Sequence, residues 1–82
     1  MPDYEELVSF VVRNIVANPD EVTVTSRRSS GGGVVNVSIR VAGEDMGRLI
    51  GKRGVTINAI RLIAKAAAVK PGEKVDVDIL ED

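Results

Sequence analysis

Two adjacent cations, Lys52 and Arg53, stand between two glycines in the segment Gly51-Lys52-Arg53-Gly54. Gly51 can take the left-handed conformation that ends a helix. Gly54 lets a ligand backbone approach closely and opens the next helix, whose first N–H groups point toward the turn with the positive end of the dipole behind them. Together these make a short basic clamp suited to one or two phosphodiester groups, able to position a strand without reading its bases. It is not a nucleotide-triphosphate loop: Gly47 and Gly51 are separated by three residues rather than four, and Lys52 is followed by Arg53 rather than a hydroxyl. Two plainer readings stand beside this one. Lys52 and Arg53 also suit the soluble tip of a helix–helix turn, and Arg48 either reaches a phosphate beside the loop or pairs with Glu44 one helical turn earlier.

Little else in the chain offers chemistry. There is no His and no Cys, so the commonest general base, thiol nucleophile and metal ligands are missing, and an enzyme is the poorest fit. No cofactor is expected. The absence of cysteine suits a reducing cytosol, and the apolar runs fall far short of a membrane span. The acids near the start, at Asp3, Glu5 and Glu6, are unlike the basic opening of a secretory signal. A cytoplasmic protein with no membrane association is expected. At 82 residues with a net charge of −1, the chain has room for one domain, 1–82, and lacks the bulk basicity of a protein that coats nucleic acid. The charge is unevenly spread. From Glu44 to Lys70 six bases face two acids, and from Pro71 to Asp82 one base faces five acids.

The elements that must position the clamp follow from periodicity. Asp3 and Glu6 form a capping-box-like start, and Tyr4, Leu7, Val8, Val11, Val12 and Ile15 then fall on one helical stripe that Asn18-Pro19-Asp20 should stop. Residues 21–28 alternate, with Val22 and Val24 on one side. Val35, Val37, Ile39 and Val41 alternate after the flexible Ser29-Ser30-Gly31-Gly32-Gly33, which predicts an antiparallel hairpin with one wet face. Gly43 to Ile50 reads as a short helix ended by Gly51, and a longer helix follows Gly54 to about Val69. Pro71-Gly72 turns the chain into a last strand through Val75, Val77 and Ile79. The two-helix crossover is long enough to return that strand parallel to the second. The fold class is therefore α+β, in the order α-β-β-α-α-β, with a three-stranded mixed sheet and three helices on one face.

The helix after Gly54 carries more apolar surface than one sheet face needs. Asn58, Arg61 and Lys65 make one narrow polar stripe, and Val55, Ala59, Ile60, Leu62, Ile63, Ala64, Ala66 and Ala67 cover the rest. Packing against the other two helices would absorb the excess; alternatively a second subunit covers part of it, around Ile63. Phe10 lies off the first helix's stripe, as a rim residue or a partner contact.

A strand, a short helix ending Leu49-Ile50, the basic glycine-bounded turn, then Val55-Thr56-Ile57-Asn58-Ala59-Ile60 resemble the KH family in its type II arrangement, over essentially the whole chain. Asp45 to Gly54 and Thr56 to Arg61 look very like the small single-KH bacterial proteins of the KhpA type. The resemblance implies RNA binding: a groove for about four unpaired nucleotides, its backbone clamped by the G-x-x-G turn. It implies RNA-contacting residues at Gly51, Lys52, Arg53, Gly54, Arg48, Ile50, Val55 and Ile57, with Ala59 and the edge from Val75 to Ile79 also lining the groove. It further implies a post-transcriptional regulator or RNA chaperone that self-associates or pairs with a larger KhpB (Jag)-like KH protein. No aromatic residue lies near the groove, so ring stacking adds nothing and affinity should be modest. The rival expectation is a protein-interaction adaptor with the KH shape and little RNA affinity.

Overall fold

The structure is a computed structural model, and it describes residues 3–80. The first helix, α1, spans Tyr4–Arg13, and the Asp3 carboxylate accepts the Glu6 N–H at 3.0 Å as its cap. Such a cap is worth about 1 kcal/mol. Tyr4, Val8 and Val12 are buried along its inner face. The helix stops at Arg13, short of the proline expected to end it. Asn14 donates its backbone N–H to Val11 and its side-chain amide to the Phe10 carbonyl, which closes the last turn.

Strand β1 (Thr23–Arg28) runs antiparallel to β2 (Val34–Arg40), with Ser26 opposite Val37. The glycine-rich tip is tied by Ser29, whose N–H donates to the Val34 carbonyl at 2.8 Å. After β2 come a short 3-10 turn at Gly43–Asp45 and helix α2 (Met46–Ile50). The long helix α3 covers Val55–Val69, and β3 (Lys74–Ile79) returns parallel to β2 with Val77 opposite Val37. The sheet order is β1-β2-β3, so the hairpin strand and the crossover strand form its two edges. The expected mixed sheet and helix order are present.

Alternation puts Val24, Val35, Val37, Ile39, Val75 and Val77 on the covered face. Against them lie Tyr4, Val8 and Val12 of α1, Leu49 of α2, and Ile57, Ile60, Ala64 and Ala68 of α3. Each fully buried Ile, Leu or Val contributes roughly 1.5–3 kcal/mol of transfer free energy. The alanines at 64 and 68 let α3 sit close to the sheet, which fixes where its first turn points. A polar tie adds to this core: the Tyr4 hydroxyl donates to Glu73 at 2.7 Å and Arg28 pairs with the same carboxylate, joining α1, the end of β1 and the turn before β3.

Candidate nucleic-acid interface

The loop between α2 and α3 is built from an unusual run of backbone angles. Gly51 donates its N–H to the Gly47 carbonyl at 2.9 Å and lies at φ 75°, ψ 176°. The expectation of a left-handed Gly51 is therefore corrected: φ is positive, but ψ is extended, a region essentially reserved for glycine. The left-handed conformation belongs instead to Arg53 (φ 58°, ψ 27°) and Gly54 (φ 79°, ψ 13°). A side chain at position 51 would put its Cβ 2.3 Å from the Thr56 Oγ1, so Gly51 is packed onto the first turn of α3. Gly54 carries no such crowding, its nearest neighbour being the Asn58 amide at 3.5 Å.

This geometry leaves Lys52 and Arg53 exposed at the tip, and neither side chain has a hydrogen bond or ion pair among the described residues. Helix α3 begins at Val55 with no side-chain cap, so its first-turn N–H groups beyond Val55, which donates to the Lys52 carbonyl, lack helical acceptors. Arg48 is exposed on α2. Its suggested partner Glu44 accepts instead from the Asn18 side-chain amide, and Arg48 lends its charge to Asp45. The four loop residues, Arg48, Ile50 and the strongly exposed Val55 (66 %) thus surround one basic corner. Ile57 differs: it turns into the core at 5 % exposure, so α3 presents Asn58 and Ala59 to solvent at that level.

Asp45, which carried no role in the sequence, is the buried anchor of this corner, at 1 % exposure. Its carboxylate accepts from the N–H groups of Ala17 and Asn18, both at 3.1 Å, and from the Asn18 side chain at 3.0 Å. Burial alone would raise its pKa; these hydrogen bonds and the nearby Arg48 outweigh burial and hold it below the usual carboxylate value. The start of α2, and hence the loop it carries, is tied by this group to the segment leaving α1.

Beyond the loop, α3 and the outer edge of β3 enclose a shallow cleft of about 280 Å³ lined by Arg61, Lys65 and residues 75–78. Arg61 donates through Nε to the Val77 carbonyl at 2.9 Å and through Nη1 to Asn58 Oδ1 at 3.1 Å. A larger concavity of about 700 Å³ lies between α1 and β1, where among the described lining residues Asp3, Glu5 and Glu6 outnumber the one base, Arg13. Its acids are wrong for a phosphate backbone, whereas the smaller cleft balances two cations, Arg61 and Lys65, against Asp76 and Asp78. Among the described residues no group of His, Cys, Asp and Glu side chains is arranged to hold a metal ion, and no helix is long and apolar enough to cross a membrane.

A mixed three-stranded sheet in the order α-β-β-α-α-β, with a basic G-x-x-G turn between its second and third helices, defines a type II KH domain. More narrowly, the chain belongs to the KhpA/KhpB KH-domain family, whose model matches residues 5–79. It is 40 % identical over 76 residues to the RNA-binding protein KhpA of Clostridium acetobutylicum, covering 93 % of this chain and 99 % of that one. It is 38 % identical over 77 residues to RNA-binding protein KhpA of Treponema pallidum, covering 94 % of each. Among solved structures it superposes on Era in complex with MgGDPNP and nucleotides 1506–1542 of 16S ribosomal RNA, with a TM-score of 0.63 and 18 % identity. That match covers 96 % of this chain and 31 % of Era, and it bears on the fold alone.

Proposed function

We propose that this chain binds short stretches of unpaired RNA, holding the backbone at Gly51-Lys52-Arg53-Gly54 and acting as a cytoplasmic post-transcriptional regulator or RNA chaperone. The observation that carries the reading is the loop itself. Two cations without side-chain partners among the described residues stand just before the uncapped start of a 15-residue helix, on a backbone that lets a strand come close. Curated relatives of nearly the same length are RNA-binding proteins. Arg48 and the apolar Ile50 and Val55 extend the contact, while Ile57 shapes the wall from within. The test is fluorescence anisotropy on a labelled single strand, comparing the wild-type chain with Lys52→Asp/Arg53→Asp. Binding should be abolished at physiological salt. Affinity that survives both replacements refutes the clamp and favours the adaptor reading.

A second reading concerns assembly. The surplus apolar face of α3 is open, with Leu62 69 % and Ile63 42 % exposed and Val55 and Val69 beside them in exposure. A second KH chain, this one's own copy or a KhpB (Jag)-like protein, would cover that face; a homodimer does so with one self-complementary patch. Sedimentation across a concentration series tests the homodimer, and a wild-type chain that stays monomeric at high concentration removes it.

A further inference from the structure

Asp45 is used in an unusual way for a residue at the start of a helix. It stands at the N-cap position of α2, where a carboxylate ordinarily accepts from the next turn, yet its side chain makes no capping bond to that helix. Both oxygens reach instead to the segment leaving α1. Oδ1 accepts the Ala17 N–H, and Oδ2 accepts the backbone and side-chain N–H groups of Asn18. Asp45 is the one buried charged residue among the described residues. Burying a carboxylate is costly unless it is well partnered, and these three donors offset that cost.

What the tie holds is the clamp. Helix α2 has five residues, too few to be stable through its own hydrogen bonds. Leu49, near its end, is anchored in the core, and α3 backs it. One buried side chain leaves so short a helix free to pivot, and a second anchor at its other end removes that freedom. The Gly51 N–H, bonded to the Gly47 carbonyl, carries the orientation of α2 straight into the loop. We propose that Asp45 is a positioning residue for RNA binding: by gripping Ala17 and Asn18 it fixes the tilt of α2, and so the place where Lys52 and Arg53 stand before α3. This inference rests on the RNA-binding reading. It also has a sign that charge alone does not give. Removing a negative group whose field reaches Arg48 should strengthen the hold on a phosphate backbone, whereas loss of positioning weakens it.

The test measures fluorescence anisotropy on a mixed-sequence single strand of about ten nucleotides, long enough to fill a groove for about four, alongside urea midpoints from circular dichroism. Asp45→Asn keeps the shape, removes the charge and turns one acceptor into a donor facing an N–H group. It should retain native helicity and bind at least about fivefold more weakly than the wild type, the cost of ordering again the backbone of one loop residue. Asn18→Ala loosens the same tie from the far side, through a side chain whose hydrogen bonds go to Glu44 and Asp45, and should shift affinity the same way by less. Val24→Ala, in the edge strand beside α1, is the control for stability alone: it should lower the urea midpoint and leave RNA affinity unchanged. An Asp45→Asn chain that binds as tightly as the wild type, or more tightly, overturns the proposal. So does a Val24→Ala chain that loses as much affinity, since general loosening would then explain the effect. If Asp45→Asn does not fold, Asn18→Ala decides, and wild-type affinity there overturns the proposal. A wild-type chain that binds no strand overturns the RNA reading itself, and this inference with it.

Discussion

Replacing Gly51 by alanine tests whether the loop is shaped by packing or merely by a flexible hinge. The added Cβ would lie 2.3 Å from Thr56 Oγ1 and 2.8 Å from both the Thr56 Cβ and its backbone nitrogen. Because one of these atoms is backbone, no rotamer change of Thr56 relieves the clash. The φ of 75° with ψ near 176° adds a conformational cost of about 1–3 kcal/mol, and forced overpacking adds about 1–3 kcal/mol more. The sum, about 2–6 kcal/mol, is a large share of the roughly 0.05–0.15 kcal/mol per residue by which domains are stable. Gly54→Ala is the internal control. It shares the positive φ, but its Cβ would meet only ordinary contacts, so it should cost about 1–2 kcal/mol. Urea titration followed by circular dichroism compares the two midpoints. A Gly51→Ala protein as stable as Gly54→Ala would refute the packing argument. Thr56→Ala in the Gly51→Ala background should restore only part of the loss, since the backbone nitrogen remains in place.

The Lys52→Asp/Arg53→Asp protein should keep its stability to within about 0.5 kcal/mol, because both side chains are exposed and Asp tolerates the left-handed angle of position 53; a shift in the urea midpoint beyond that marks a structural role. RNA affinity should fall only gently with salt, with a log–log slope of about one to three contacts times 0.7, and a steep slope would indicate a diffuse electrostatic surface. Ile63→Glu should give a folded chain of native helicity, since the residue is 42 % exposed, and should be monomeric where the wild type associates; loss of helicity would return Ile63 to the core. The pH dependence follows from Glu73, which Arg28 first and Tyr4 second hold below its ordinary value of 4.5 against the opposing effect of burial. In the unfolded chain this carboxylate takes up its proton at higher pH than in the folded one, so its stabilisation is complete above 4.5 and is lost as pH falls through the depressed folded value. Glu73→Gln should flatten that acid limb of the denaturation profile, and an unchanged profile would rule the contact out as its source.

Where a feature is written in local periodicity, the sequence reveals it. Val35, Val37 and Ile39 of β2 and Val75 and Val77 of β3 alternate and face inward; the stripe from Tyr4 to Val12 repeats at helical spacing and packs as such. The glycine-bounded turn is equally local, so its place between two helices was legible. What escaped depends on contacts between distant residues. The end of α1 was misjudged because Asn18-Pro19 is a strong stop signal. The chain leaves the helix earlier, and Asp45, 27 and 28 residues away, grips Asn18 and Ala17. A lone Asp before a helix is an ordinary capping residue in sequence, with nothing to show that it faces another segment. The reason for Gly51 was likewise hidden, since only the folded loop lays Thr56 against it. Ile57 counted as a groove residue through the family resemblance, whereas α3's rotation against the sheet sends it inward. Arg61 stood in the polar stripe of α3, but its hydrogen bond to the Val77 carbonyl needed the β3 edge, which only the two-helix crossover delivers.

The chain's net acidity does not oppose the proposed RNA clamp once the described acids are located. Asp45 is buried and fully engaged, Glu44 is bound by Asn18, and Glu73 is held by Arg28 and Tyr4. Asp3, Glu5 and Glu6 lie over β1, on the opposite edge of the sheet from β3. Two inter-strand steps of about 4.8 Å separate those edges, which is already about one Debye length at physiological salt. Repulsion from the α1 acids is therefore largely screened at the cleft, while direct contacts at the loop are not. Among the described residues, the acids beside the α3–β3 cleft, Asp76 and Asp78, share it with Arg61 and Lys65. Among the described residues, exposed positive charge without a neighbouring acid is thus concentrated at Lys52 and Arg53, where the proposed clamp needs it, and not in the charge-balanced cleft along β3.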